Sequence, residues 1–204
     1  ARTVTGIKGV SQTFVLNALV SLDTALWCLE AAVNRKSFDD LVTERYPQVL
    51  SQRQSKLTRM PLIGFATTEE EVKDLLKAGA VVLKIKLGHP GNQTEMLEKD
   101  LARIETISRI CRGYHTPYSA SEEIMLYLDA NGRYQTTEGV QRLADGIERM
   151  GVTDRVLVLE EPYPPESDES VASLPFRVAA DESVHSPRDI EDRIELGYEA
   201  FALK

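Results

Sequence analysis

From Met60 onward the chain alternates short, continuous apolar runs with stretches of helical period, and this alternation limits the fold more than any other feature. Runs such as Val81-Val82-Leu83-Lys84-Ile85-Lys86 and Val156-Leu157-Val158-Leu159-Glu160 have the length and continuity of strands buried on both faces. Strands are expected over 61–66, 81–86, 124–128, 155–159, 176–180 and 198–203. Helices are expected from Thr67 or Thr68 to about 78, then over 94–111, 137–150, 167–173 and 188–196. A threonine ahead of Glu69, Glu70 and Glu71 marks a helix start with acids at the positive end of the dipole. Ser186-Pro187 is a cap followed by a first-turn proline. Repeated βα units predict a parallel sheet.

Five of the six runs close on charge: Lys84 and Lys86, then Asp129, then Glu160 and Glu161, then Asp181 and Glu182, then Lys204. Ending a buried strand in a charge is costly unless that charge meets a partner. In parallel α/β folds the binding groups lie at the carboxyl ends of the strands. Charges on nearly every strand end suit a barrel, where all strands point at one axis, better than a doubly wound sheet with one switch point. The expected fold is α/β, a (β/α) barrel of TIM type.

Asp129, Glu160 and Asp181 close three successive strands. Three converging carboxylates repel one another, and a hard divalent ion relieves that repulsion. An all-oxygen shell favours Mg²⁺ or Mn²⁺ over Zn²⁺. Glu160 and Glu161 compete for one inward position because side chains alternate along a strand, and Asp181 and Glu182 pose the same choice. Spacing leaves both pairs open. Lys84 and Lys86, two residues apart, share a strand face, where each ammonium lowers the other's pKa and one becomes fit to act as a base. His89 and His115 read as solvated loop residues, His185 as part of a helix-capping loop, and Trp27 and the tyrosines as packing groups.

The remaining properties bound the function class. A net charge of −8 argues against a nucleic-acid partner, which needs clustered Lys and Arg. Cys28 and Cys111 lack any CxxC spacing and read as free thiols of a cytoplasmic protein. The sequence shows no apolar stretch near the ~18 residues of a membrane span, and no signal-peptide pattern. Apolar residues recur at helical spacing from Thr13 to Asn34, a short helix opens near Asp39, and 46–59 reads as a polar connection. The segment 113–123 reads as a surface insertion on the face opposite the strand carboxyl ends. Two regions follow: 1–59, and a barrel region over 60–204.

The motif order Lys84-Ile85-Lys86, Leu128-Asp129-Ala130-Asn131, Glu160-Glu161-Pro162, Ala180-Asp181-Glu182-Ser183 and a strand-terminal Lys204 resembles the enolase superfamily, and within it the muconate-lactonizing-enzyme subgroup. Ser21-Leu22-Asp23-Thr24-Ala25-Leu26-Trp27 resembles the helix that precedes the barrel in that family. The resemblance implies that 1–59 is the helical end of an α/β capping domain and that 60–204 holds about six of eight barrel strands. It implies Asp129, Glu160 and Asp181 as ligands of Mg²⁺ or Mn²⁺. Lys86 and Lys204 would flank the substrate's α-carbon, and Lys84 would help to stabilise the enolate. Asn131, Glu161 and Glu182 are candidates for supporting these groups or touching substrate. The implied activity is proton abstraction α to a carboxylate, as a racemase or epimerase, cycloisomerase or β-eliminating lyase. The implied partner is a small carboxylate-bearing substrate, in a homo-oligomeric protein with no nucleic acid or membrane. The alternative is a non-catalytic metal- or ligand-binding relative on the same scaffold.

Overall fold

The computed structural model describes residues 12–50 and 56–202. They fall into two compact units, one running to Leu57 and one beginning at Thr58. The first contains helices α1 (Gln12–Val33), α2 (Phe38–Arg45) and α3 (Pro47–Leu50). Ser37 caps α2 in a reciprocal box with Asp40. Trp27 packs 6.1 Å from Phe38 and 6.2 Å from Tyr46, centroid to centroid, under the Arg45 guanidinium. The stretch 46–59, read as a connection, therefore holds a short helix begun by Pro47 in its first turn.

One further reading is corrected in this unit. Thr13–Val33 forms a helix long and apolar enough, by length and composition alone, to cross a membrane, and 6% of its most apolar window is buried. Asp23 and Glu30 interrupt the apolar run in sequence, but the helix continues through both, with Glu30 paired to Arg45. Length and composition do not separate such a helix from an apolar packing helix.

The second unit alternates strand and helix: β1 (Leu62–Ile63), α4 (Glu69–Lys77), β2 (Val82–Lys86), α5 (Gln93–Cys111), β3 (Met125–Asp129), α6 (Thr137–Arg149), β4 (Val156–Glu160), β5 (Val178–Ala180), α7 (Pro187–Glu195) and β6 (Ala200–Phe201). All six strands pair in parallel in the order β1-β2-β3-β4-β5-β6. Consecutive order without reversal is the barrel arrangement, since a doubly wound sheet reverses at its switch point. Leu83, Ile85, Leu126, Leu128 and Leu159 are wholly buried on the opposite strand face from Lys84 and Lys86, with Ile104, Ile107, Leu143 and Ile147 of α5 and α6 in the same core.

Caps explain most of the boundaries. Thr68 and Glu71 form a capping box at α4, Asn92 and Glu95 another at α5, and Ser186 caps α7 ahead of Pro187. Three expected elements differ, among them β6, which covers Ala200–Phe201 of the 198–203 expected. β1 stops at Ile63 because Gly64 and Thr67 close a turn through two hydrogen bonds, Thr67 N–H to Gly64 O and Gly64 N–H to Thr67 Oγ1. Residues 167–171 are irregular, 172–173 form a turn, and none of them is helical. Ser167 and Ser170 hydroxyls accept from nearby N–H groups, and Arg193 of α7 takes the carbonyls of Pro165 and Ser167. The 113–123 insertion is closed by an antiparallel bridge from His115 to Glu123 and precedes β3, away from the strand carboxyl ends.

Candidate active site

Strand register brings the predicted charges together. Lys86 pairs with Asp129, Asp129 with Glu160, and Glu160 with Ala179, two residues before Asp181. Residues two apart share a face, so Lys84, Lys86, Asp129, Glu160 and Asp181 occupy one side of the sheet at its carboxyl end. The three acids are 1%, 1% and 8% exposed, a burial that demands compensation.

Two ammonium groups supply it to Asp129 and Glu160. Lys84 Nζ lies 2.9 Å from Asp129 Oδ2 and 2.5 Å from Glu160 Oε2. Lys86 Nζ lies 2.7 Å from the same Asp129 oxygen and 2.5 Å from Asn131 Oδ1. Burial works against the Lys84 charge, but Glu160 and Asp129 hold its proton more tightly than in an ordinary lysine. Glu160 has a raised pKa, chiefly from burial, partly opposed by Lys84 and reinforced by the charge of Asp129. Tyr127 lies beneath Lys84, its ring centroid 5.0 Å from Nζ. Burial, Glu160, Asp129 and Asp181 all push its phenol pKa up, so it stays a neutral donor.

Among the described residues no three His, Cys, Asp or Glu side chains stand in metal-coordinating geometry, and Lys84 lies between Asp129 and Glu160. The chemistry of the donor set does suit a hard cation: three buried carboxylates and no sulfur or imidazole on adjacent strand ends.

The neighbouring acids take separate positions. Glu161, wholly buried at φ 40°, accepts through Oε2 from the Asp181 and Ser183 backbone N–H groups and from the Ser183 hydroxyl. It ties the turn after β5 to the end of β4. Burial raises its pKa, against the pull of those donors. Glu182 accepts from Asn131 Nδ2 at 3.1 Å, so Asn131 links Lys86 to Glu182. Lys204 lies outside the described residues.

The structure also gathers groups that the sequence reading set aside. His89, expected to be solvated, has a side chain 17% exposed, 2.5 Å from the buried Asp100 carboxylate through Nδ1. Tyr134 donates to the same carboxylate at 2.7 Å. Asp100 carried a signal, since it sits in the buried stripe Leu97, Asp100, Ile104, Ile107 of α5 where an apolar residue belongs. His115 is exposed, as expected, and the His185 N–H donates to Asp189 in the loop that opens α7.

Consecutive parallel strands with acid and ammonium groups on their carboxyl ends define a barrel-type α/β domain with a polar site at one end. The Enolase C-terminal domain-like family matches residues 67–202, and the chain belongs to that family. It is 26% identical to the L-Ala-D/L-Glu epimerase of Escherichia coli (strain K12) over 175 residues, covering 84% of this chain and 46% of that protein. The chain thus spans about half the length of the curated relative it matches. Among solved structures, the muconate lactonizing enzyme of Klebsiella pneumoniae superposes with a TM-score of 0.56 at 18% identity, covering 74% of this chain and 39% of that one. A mandelate racemase/muconate lactonizing enzyme of Roseiflexus sp. gives 0.54 at 26% identity, with 69% and 37% covered.

Proposed function

We propose that this chain carries part of the active site of an Mg²⁺-dependent enzyme that removes a proton α to a carboxylate, acting as a racemase or epimerase. The observation that carries this reading is the placement of two lysine ammonium groups, Lys84 and Lys86, against buried carboxylates on adjacent strand ends. Metal binding alone needs no lysines there.

In this reading Asp129, Glu160 and Asp181 hold the ion. When bound, Mg²⁺ supplies charge stabilisation for a substrate carboxylate and for the enolate derived from it. Lys86 removes the α-proton as general base. Its contact with Asn131 and Asp129 orients the amine. Lys84 faces the developing negative charge as a fixed cation. Lys204 is assigned to the opposite face of the α-carbon, as acid for one enantiomer and base for the other. Two opposed lysines suit epimerisation; with one idle, the same groups serve cycloisomerisation or β-elimination. The reading places a homo-oligomeric protein in the cytoplasm, acting on a small acid.

The test is solvent deuterium incorporation by full-length protein with Mg²⁺, offered dipeptides, N-acylamino acids and sugar acids. L-Ala-D-Glu and L-Ala-L-Glu come first, given the dipeptide epimerase among its relatives. The expected result is Mg²⁺-dependent deuteration at the α-carbon of at least one class. Mg²⁺ binding without exchange in any class supports the non-catalytic alternative.

A further inference from the structure

We infer that Asp100 is a positioning residue for the acid/base machinery, fixing the loop that leaves Lys86 and the loop that leaves Asp129. The inference rests on the proton-abstraction reading above. Asp100 lies on α5, outside the strand-end motifs, and is wholly buried. A buried carboxylate is retained only with full compensation, and here every donor comes from those two loops. Oδ2 accepts from the Gly88 N–H at 2.8 Å and the Tyr134 hydroxyl at 2.7 Å. Oδ1 accepts from the His89 N–H at 3.2 Å and lies 2.5 Å from His89 Nδ1.

Gly88 and His89 follow Lys86 almost directly, and Tyr134 follows Asp129 in the next loop. The loops also touch each other. The Leu87 N–H donates to the Asp129 carbonyl at 2.8 Å, and Gln93, the first residue of α5, bonds the Arg133 carbonyl and the Gln135 N–H. A Cβ at Gly88, where φ is 83°, would fall 2.5 Å from Arg133 Cγ. One carboxylate therefore joins the base Lys86 to its neighbour Asp129 by holding both exits. Displacement of a base by about 1 Å is enough to lose roughly 100-fold in rate.

Asn is nearly isosteric with Asp but cannot replace it. Each Asp100 oxygen faces a backbone N–H, and either amide orientation would set an NH₂ group against one of them. The test is Asp100→Asn in the full-length protein, read three ways: amide hydrogen exchange at 87–89, enantiomer-resolved α-deuteration, and thermal stability. The expected result is faster exchange of the Gly88 and His89 amides. With it, kcat falls roughly 10- to 100-fold for the enantiomer served by Lys86 at nearly constant KM, with a smaller loss for the opposite enantiomer. Tyr134→Phe, which keeps both backbone contacts, guards against a misfolded variant and should show the same asymmetry at several-fold. Equal losses for both enantiomers in proportion to lost stability, or no loss in either variant, would overturn the inference while leaving proton abstraction intact. A wild-type protein with protected Gly88 and His89 amides and no α-deuteration would overturn the proton-abstraction reading and the role of Asp100 with it.

Discussion

Lys84 bridges Asp129 and Glu160, with its ammonium 2.9 Å from one carboxylate and 2.5 Å from the other. The residues come from three adjacent strands, and their contact places a fixed cation among the acids proposed to hold a metal. Ammonium and metal share the same buried negative charge, so their energetics are linked.

Removing that ammonium leaves Glu160 buried without its counter-charge and Asp129 with Lys86 alone. Lys84→Met in chelator-treated protein should lower stability by on the order of 3 kcal/mol. Restoring Mg²⁺ should recover part of the loss. Urea unfolding with and without Mg²⁺ measures both effects. Equal stability of variant and wild type in chelator would show that the bridge does not compensate the acids.

The acids also set a pH dependence. Glu160 and Glu161 both have raised pKa values, in each case mainly because burial disfavours the charged form. Above the ordinary glutamate range of about 4.3 the folded state therefore binds more protons than the unfolded chain. Their contribution to stability is fully present below that range and is lost as pH rises through the raised folded values. Metal-free protein should thus lose stability across that window, and Mg²⁺ should flatten the slope. Unfolding midpoints in urea from pH 4 to 8 decide it; stability that rises with pH in chelator would contradict the assignment.

The candidate site was legible to the extent that its charged groups sit on strand ends. Asp129, Glu160 and Asp181 close apolar runs; parallel register then pairs Asp129 with Glu160 and puts Asp181 two residues beyond Ala179, the partner of Glu160. Spacing left Glu160 and Glu161 open, because strand alternation needs an absolute phase that packing supplies; the family resemblance alone singled out Glu160. In the structure Glu161 leaves the strand at φ 40° and turns to the Asp181–Ser183 backbone. Asp100 and His89 were passed over for another reason. A helix acid and a loop histidine are individually ordinary, and their contact depends on how α5 packs beside β2. The helix expected at 167–173 failed because serine hydroxyls and the Arg193 guanidinium satisfied the backbone groups a helix would have used.

Gly132 tests the backbone around the site. It adopts φ 66°, its N–H donates to Glu161 O at 2.6 Å, and an added Cβ would meet the Tyr163 carbonyl oxygen at 2.9 Å. That neighbour is backbone and cannot step aside. Gly132→Ala should cost roughly 1–3 kcal/mol and weaken Mg²⁺ binding by disturbing Asn131 and Glu161. Denaturant unfolding and metal titration check the two effects, and an unchanged variant would place the contact outside the site's support.

Metal binding itself should register as stability. At a free Mg²⁺ concentration 100 times its Kd, the wild type should gain about 2.7 kcal/mol. Glu160→Gln and Asp181→Asn should lose most of that gain while remaining folded in chelator. A full Mg²⁺ response in both variants would remove these residues from the ligand set.

In the proposed reaction Lys86 takes the α-proton. The direct measurement is α-deuteration of each substrate enantiomer by full-length Lys86→Ala protein in D₂O with saturating Mg²⁺. With Lys86 as the base, one enantiomer should lose exchange by at least ~10³-fold, while Mg²⁺ affinity and folding persist and the other enantiomer still exchanges. Exchange of both enantiomers at the wild-type rate would contradict it.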